Sequence, residues 1–313
     1  MLYGKKLKFG DTIGLIGPSG AVRTEGAIER SAEEIMRAGF RVKLGESCGQ
    51  KYGYLSGTDE VRAHDVNAMF ADEEVDAIMC VRGGYGTTRM LDLLDYEVIA
   101  AHPKVFIGLS DITAMHIAML EKSGLCTFHG PMSTSDWTQE MHPFSFESLM
   151  RAVACAAPAG KLVNHPDYPA RKTINPGCAE GMLVGGNLML ITSVLGTPYA
   201  LNVKDRILFI EEIGEHTYCI DRMLTQLRLA GAFDECAGVV FGDFKNCEIE
   251  FEQYGFTIEE IIRDVVAPSG KPIFMGLQSG HCTPKLTLPL GTRCRMDADA
   301  CTLEVLESAV REG

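Results

Sequence analysis

Basic excess is the first thing this sequence lacks. Lys and Arg number 29 against 42 Asp and Glu, a net charge of −13, and the cations are scattered without a stripe. That argues against a phosphate-tracking surface, and so against a nucleic-acid partner. No run of about 18 uninterrupted apolar residues occurs, which leaves no helical membrane span to propose. The basic opening, Met1 to Lys8, is followed by Asp11 and not by an apolar stretch, so no secretion signal is legible. Eleven cysteines are present, but irregularly spaced and without a C-x-x-C pair. The expectation is reduced thiols in a cytoplasmic protein, with residues such as Cys80 and Cys126 serving as small core side chains. H-E-x-x-H, the P-loop and G-x-G-x-x-G are also missing, and with them the simplest metallopeptidase, nucleotide and dinucleotide readings.

The 313 residues, 46% of them hydrophobic, suffice for one large domain or two ordinary ones. Over the first 130 or so, strand and helix signals alternate. Residues 12–16 read as a buried strand stopped by Gly17-Pro18-Ser19-Gly20. Residues 25–38 have helical spacing, with Ile28, Ala32, Ile35 and Met36 on one face and Gly39 as the stop. A short strand at 41–44, a helix at 59–71, a strand at 77–81, a helix at 87–94 and a strand at 125–129 follow. Alternation of this kind predicts an α/β fold with a mostly parallel sheet flanked by helices. Ligands then bind at the carboxyl ends of the strands, where the loops at Gly17, Gly83-Gly84 and Ser110 converge.

Between 156 and 180 the composition turns to Pro158, Pro166, Pro169 and Pro176 with Gly160 and Gly177, which suits an extended connector. The expected organisation is an N-terminal domain over 1–155, a connector over 156–180 and a smaller α/β, β-rich domain over 181–313. Apolar runs at 207–210, 238–241, 285–288 and 301–305 lie in that second half, with helices at 188–195, 219–229 and 257–266.

One stretch carries chemistry. Val105-Phe106-Ile107-Gly108-Leu109-Ser110-Asp111-Ile112 reads as a strand, a sharp turn and a helix start, with a serine at the bend. Such a turn lifts a hydroxyl above the sheet and sets helix N-terminal N–H groups beside it. Ile112 stands where the G-x-S-x-G elbow has its last glycine, and Ser110-Asp111 also suits a plain helix cap. A serine needs a base, and the base an orienting acid. His281, on a loop after a short strand, is the best-placed base; His129 and the helical His116 are weaker. Glu211 and Glu212 end a strand and point to opposite faces, so only one can serve. Val81-Arg82-Gly83-Gly84-Tyr85-Gly86 suits close backbone approach to a phosphate or an oxyanion. Gly181-Met182-Leu183-Val184-Gly185-Gly186-Asn187 reads as a tight turn before a helix. Glu211, Glu212, Glu215 and His216 are close enough in sequence to suggest a divalent ion, but Gly214 breaks any helical register, and no metal is expected.

Taken together the motifs are more specific than any one. Gly57-Thr58-Asp59-Glu60, the Val81 to Gly86 block, Gly108-Leu109-Ser110-Asp111, Gly130-Pro131-Met132, Gly185-Gly186-Asn187, Leu208 to Glu211, Ile220-Asp221-Arg222-Met223-Leu224 and Gly280-His281 with Leu288-Pro289-Leu290-Gly291 run in order along the chain. In these the sequence resembles the LD-carboxypeptidase family of serine peptidases. The resemblance implies Ser110 as nucleophile, Glu211 as acid in preference to Glu212, and His281 as base. It implies an oxyanion hole from the N–H groups of Asp111 and of a glycine in the Gly83-Gly84 pair, taken as Gly84. Gly83, Tyr85 and Asn187 are the candidate substrate contacts. It further implies a two-domain fold with the triad spanning the domains, no cofactor, a homodimer, and a muropeptide substrate from which terminal D-alanine is released. A second branch, the microcin C immunity peptidases, cuts an aminoacyl–nucleotide amide and tends to carry a longer insert between nucleophile and acid. The short interval here favours the first. Trp137, inside it, is a candidate for stacking on a ligand or for packing at a domain edge. Cys282 beside His281 would make the site oxidation-sensitive if exposed. A reading of another class is a catalytically silent protein that binds a muropeptide or nucleotide.

Overall fold

The computed structural model describes residues 1–247 and 255–313. Two sheets organise it. The first is built from β1 (Thr12–Ile16), β2 (Arg41–Leu44), β3 (Ala77–Cys80), β4 (Val105–Gly108) and β5 (Thr127–His129), all parallel. β1, β3, β4 and β5 are buried at every position, as parallel strands covered on both faces must be. The second holds β6 (Gly160–Lys161), β7 (Lys172–Asn175), β8 (Cys178–Asn187), β9 (Ile207–Ile213), β10 (Gly238–Lys245) and β11 (Ile273–Met275). Its centre, β8-β9-β10-β11, is parallel. β12 (Leu288–Leu290) then returns to the first sheet and pairs antiparallel with β5, while β13 (Arg293–Asp297) and β14 (Thr302–Val305) complete the second. The orders are β12-β5-β4-β3-β1-β2 and β6-β14-β13-β8-β9-β10-β11-β7.

β1, β2 and the helix Asp59–Ala71 fall where the spacing puts them. That helix starts because the Thr58 hydroxyl accepts the Val61 N–H. Gly39, at φ +101°, follows the helix Ala27–Arg37. Met36, read as inward-facing, is half exposed; Ala27, Ser31, Ala32 and Ile35 make the buried stripe instead. Residues 87–93 coil as a 3₁₀ helix, and a short helix at Tyr96–Ala101, capped by Asp95, was not legible from spacing. Residues 156–180, expected to form a connector, supply the edge strands β6 and β7 and the start of β8 in the second sheet.

The glycine cluster before Asn187 is not a turn but a strand, β8. Its glycines serve close approach. A Cβ on Gly185 would sit 2.0 Å from the Phe209 carbonyl oxygen, and one on Gly186 2.5 Å from Thr113 Oγ1. The helix Thr113–Ser123, buried from Thr113 to Leu120, therefore seats directly on β8 and on the helix Leu188–Ser193. This contact joins the two sheets and fixes the first turn of that helix, next to Ser110, against the strand that neighbours β9. Among the described residues, no helix is long and apolar enough to cross a membrane.

Candidate functional site

Ser110 stands at the end of β4 with φ +66°, in the left-handed region that a non-glycine residue enters at a cost of about 1–3 kcal/mol. The surroundings impose the bend. A Cβ on Gly108 would lie 2.7 Å from the Ile112 side chain, so only glycine lets the helix fold back over the strand end. A Cβ on Gly83 would lie 2.8 Å from Ser110 Cβ and 3.0 Å from its Oγ, so the glycine loop after β3 presses its backbone against the serine. Asp111, fully buried, ties three loops together. Its carboxylate accepts from the Ser19 hydroxyl at 2.6 Å and the Thr87 N–H at 3.0 Å, and its carbonyl accepts from the Thr87 hydroxyl at 2.6 Å. Arg62, buried without exposure, reinforces the same corner. It donates to the carbonyls of Pro18 (2.6 Å) and Gly86 (2.9 Å) and pairs with Asp59, which Arg89 also holds at 2.9 Å. The Gly57 to Glu60 block is thus explained by a helix cap and an ion pair that hold the loops.

From the second sheet and the loop after β11 come a glutamate and a histidine. Glu211, on β9, is fully buried, and its Oε2 lies 2.7 Å from Nδ1 of His281, whose side chain is 15% exposed. Gly280 makes the contact possible, because a Cβ there would lie 2.7 Å from the same oxygen. Glu212 points to the other face. It accepts from the Asn187 amide (2.7 Å) and from the N–H groups of Met189 (2.9 Å) and Ile213 (2.8 Å), and burial pushes its carboxyl up from the ordinary range. Strand alternation, which left two candidates in the sequence, here gives one acid to His281 and the other to the scaffold.

The remaining candidates divide. Gly84 is exposed beside Gly83, and its N–H donates to no protein acceptor among the described residues. Tyr85 is half exposed, its ring edge-on to Tyr54 at 5.5 Å. Asn187 is buried and engaged: beyond Glu212 it accepts the Leu190 N–H as a helix cap, and its own N–H donates to Thr113 Oγ1 at 3.0 Å. His116 and His129 are fully buried. His116 Nε2 lies 2.9 Å from the Gly108 carbonyl oxygen, and burial lowers its pKa to about 4. Desolvation holds His129 well below its ordinary value too. Trp137 packs edge-on to Phe146 in the core at 2% exposure, which is the packing role and not the stacking one. Cys282 is buried, and desolvation pushes its thiol up to about 12, which removes the exposure that oxidation would need. Among the described residues, no group of three or more His, Cys, Asp or Glu is arranged to hold a metal ion.

Sequence reading missed three residues that hold the His281 loop or each other. The Tyr168 hydroxyl donates to Asp243 Oδ1 at 2.9 Å, the Asp243 N–H to the Ser279 carbonyl at 2.9 Å, and Lys245 Nζ to the His281 carbonyl at 3.1 Å. They belong to the connector and to β10, far from His281 in sequence, and no motif marked them.

Comparison with known proteins gives the family. Residues 13–130 match the LD-carboxypeptidase N-terminal domain and residues 180–296 the LD-carboxypeptidase C-terminal domain. The chain is 37% identical over 313 residues to the probable murein peptide carboxypeptidase of Bacillus subtilis (strain 168), covering 99% of this chain and 95% of that one. It is 28% identical over 337 residues to the microcin C7 self-immunity protein MccF of Escherichia coli, covering 98% and 96%. The wild-type apo structure of MccF superposes with a TM-score of 0.92 at 26% identity, covering 99% of this chain and 100% of that one. A muramoyltetrapeptide carboxypeptidase from Oxalobacter formigenes superposes with a TM-score of 0.82 at 28% identity, covering 95% and 99%. Matched in both halves and over nearly its whole length, the chain belongs to the LD-carboxypeptidase family of serine peptidases.

Proposed function

We propose that the protein is a serine LD-carboxypeptidase that releases the terminal D-alanine of the murein tetrapeptide L-Ala-γ-D-Glu-meso-diaminopimelate-D-Ala. Ser110 is the nucleophile, His281 the base and Glu211 the acid that orients it. The observation that carries the reading is the 2.7 Å bond between buried Glu211 and His281 Nδ1, together with the strained Ser110 at the end of β4. With Nδ1 donating to Glu211, Nε2 is the bare nitrogen, free to take the Ser110 proton. Ser110 then attacks the diaminopimelate carbonyl. The N–H groups of Gly84 and Asp111 receive the developing oxyanion, and D-alanine leaves with the proton from His281. Water repeats the cycle on the acyl-enzyme. No step calls for a cofactor.

A carboxypeptidase must also recognise a terminal carboxylate, and Arg82 supports this part of the reading. Its half-buried guanidinium donates to the carbonyls of Gly83 (3.1 Å) and Ala21 (3.0 Å) and has no acidic partner among the described residues. Burial, and then Arg23, lowers its pKa. A half-buried cation next to the glycine that touches Ser110 suits the carboxylate of the leaving D-residue. Cytoplasmic placement and a homodimer belong to the same proposal.

The second reading, cleavage of an aminoacyl–nucleotide amide, is favoured by the higher TM-score to MccF. The discriminating experiment is a comparison of kcat/KM on the tetrapeptide and on processed microcin C. The account expects the tetrapeptide to be preferred by at least an order of magnitude. The reverse preference would move the protein to the immunity branch.

A further inference from the structure

The end of β10 is irregular in a way that bears on the base. Ile210 of β9 pairs with Phe241 of β10 and Glu212 with Phe244, so Gly242 and Asp243 together face the single residue Glu211. This is a β-bulge, a device that re-aims a side chain and is over-represented beside active sites. Gly242 takes the crowded position: a Cβ there would lie 2.5 Å from the Ser279 carbonyl oxygen and 2.7 Å from the Phe209 ring. Asp243 is thereby set beside the loop that carries His281, and its N–H donates to the Ser279 carbonyl at 2.9 Å. Its carboxylate accepts from the Tyr168 hydroxyl at 2.9 Å, while its second oxygen, Oδ2, is buried with no partner. Glu211 has the same deficit, since Oε1 is also buried and unpartnered. Two buried carboxylates, each with one satisfied and one bare oxygen, therefore meet at the same strand ends: Glu211 on the imidazole itself, and Asp243 bonded through its N–H to the loop that carries it.

We propose that Asp243 is a positioning residue for His281: it pins the Ser279–His281 loop through its backbone and, with its carboxylate, strengthens the hold of His281 on a proton. This rests on the reading of His281 as the base. The groups facing the Asp243 carboxylate are Glu211 from β9, Lys245 and Cys247 from the β10 end, Tyr168 from the connector, and His281 and Cys282 from the base loop. Burial, followed by Glu211, raises its pKa, while the Tyr168 hydroxyl, Lys245 and His281 favour its charged form. The charge adds to the direct bond from Glu211. Lys245, bonded to the His281 carbonyl, opposes it.

The sign follows from the charges. Removing a carboxylate near an imidazole disfavours the imidazolium, so Asp243→Asn lowers the pKa of His281. Asparagine keeps an oxygen for the Tyr168 hydroxyl, so the loop contacts survive. The experiment is an imidazole ¹⁵N NMR titration of the full-length protein, with the His281 signal assigned by its loss in His281→Gln. The expected result is a midpoint lower by about half a unit or more in Asp243→Asn, as for the loss of one nearby charge in a partly solvated site. Tyr168→Phe, which removes no charge but makes Asp243 easier to protonate, should move it in the same direction by less, and stands in if Asp243→Asn does not fold. A His281 midpoint unchanged to within about 0.1 unit would overturn the proposal. The titration needs no substrate. Failure of the wild type to release D-alanine would count against the peptidase reading separately, and an unmoved midpoint against this one.

Discussion

Glu211→Gln removes one charge and almost nothing else, and the structure says what should follow. Glu211 is fully buried and spends one oxygen on His281 Nδ1 at 2.7 Å; the other has no partner. A charge-assisted bond of this kind is worth about 1.5–3 kcal/mol, or roughly 10- to 150-fold in rate if lost only in the transition state. A second effect adds to it. Glutamine can present its amide N–H to Nδ1 and so select the tautomer in which Nε2 carries the proton and cannot accept one from Ser110. The corresponding charge removal in another serine peptidase costs about 10⁴ in kcat. Gly280 lies over Glu211 so closely that even a Cβ would touch Oε2 at 2.7 Å, which leaves the new amide little room to turn away. We therefore expect kcat to fall by about 10²–10⁴ with KM little changed, since the acid touches no substrate. The assay is D-alanine release from the tetrapeptide, followed by chromatography, with circular dichroism as the fold control. A folded Glu211→Gln enzyme within about tenfold of wild-type kcat would refute the assignment of Glu211 as the orienting acid.

Three further outcomes follow from the same geometry. Arg82→Met should erase the preference for a free terminal carboxylate over its amide, by about 10- to 100-fold in the ratio of kcat/KM values for the two substrates; an unchanged ratio would assign Arg82 to loop packing alone. Iodoacetamide at pH 8 should leave activity intact, because a Cys282 thiol held at about 12 is ionised in roughly one molecule in 10⁴; rapid inactivation mapped to Cys282 would contradict its burial. Stability should depend on acid through His116. Its pKa falls from 6.5 unfolded to about 4 folded, so below 6.5 the unfolded state binds the extra proton. Stability is then full above 6.5 and declines as pH falls toward 4, by about 3 kcal/mol from this group. Urea titrations across that window should show the decline, and His116→Gln should make it shallower, leaving the part that the equally buried His129 contributes.

How much of this was legible in the residues varies with the physics involved. β1, β2 and the helix Asp59–Ala71 follow local rules of periodicity, caps and stop residues, and local rules are visible in one sequence. β8 was misread because glycine has two uses. The run around Gly185-Gly186 looks like a turn, yet those residues are glycine because Phe209 and Thr113 approach them from other elements. β12 shows the same limit. The run read at 285–288 becomes a strand only at Leu288–Leu290, and its partner is β5, because strand bounds and partnership are properties of the whole topology. At the site, the strand–turn–helix around Ser110 was readable, since its bend depends on Gly108 and Ile112, its own neighbours. The choice between Glu211 and Glu212 was not readable from alternation alone, which says only that they part. Asp243 and Tyr168 could not have been found, because a bulge sets Asp243 against the Ser279 carbonyl and residues far away in sequence bring Tyr168 to Asp243, and neither leaves a spacing to read.

The central claim is that Ser110 attacks an L,D-peptide bond at the end of a murein tetrapeptide. Mass spectrometry of L-Ala-γ-D-Glu-meso-diaminopimelate-D-Ala after incubation with the wild-type protein and with Ser110→Ala tests it most directly. The account predicts loss of one D-alanine with the wild type and an unchanged tetrapeptide with the variant. An unchanged tetrapeptide with the folded wild type, or D-alanine release by Ser110→Ala at the wild-type rate, would contradict it.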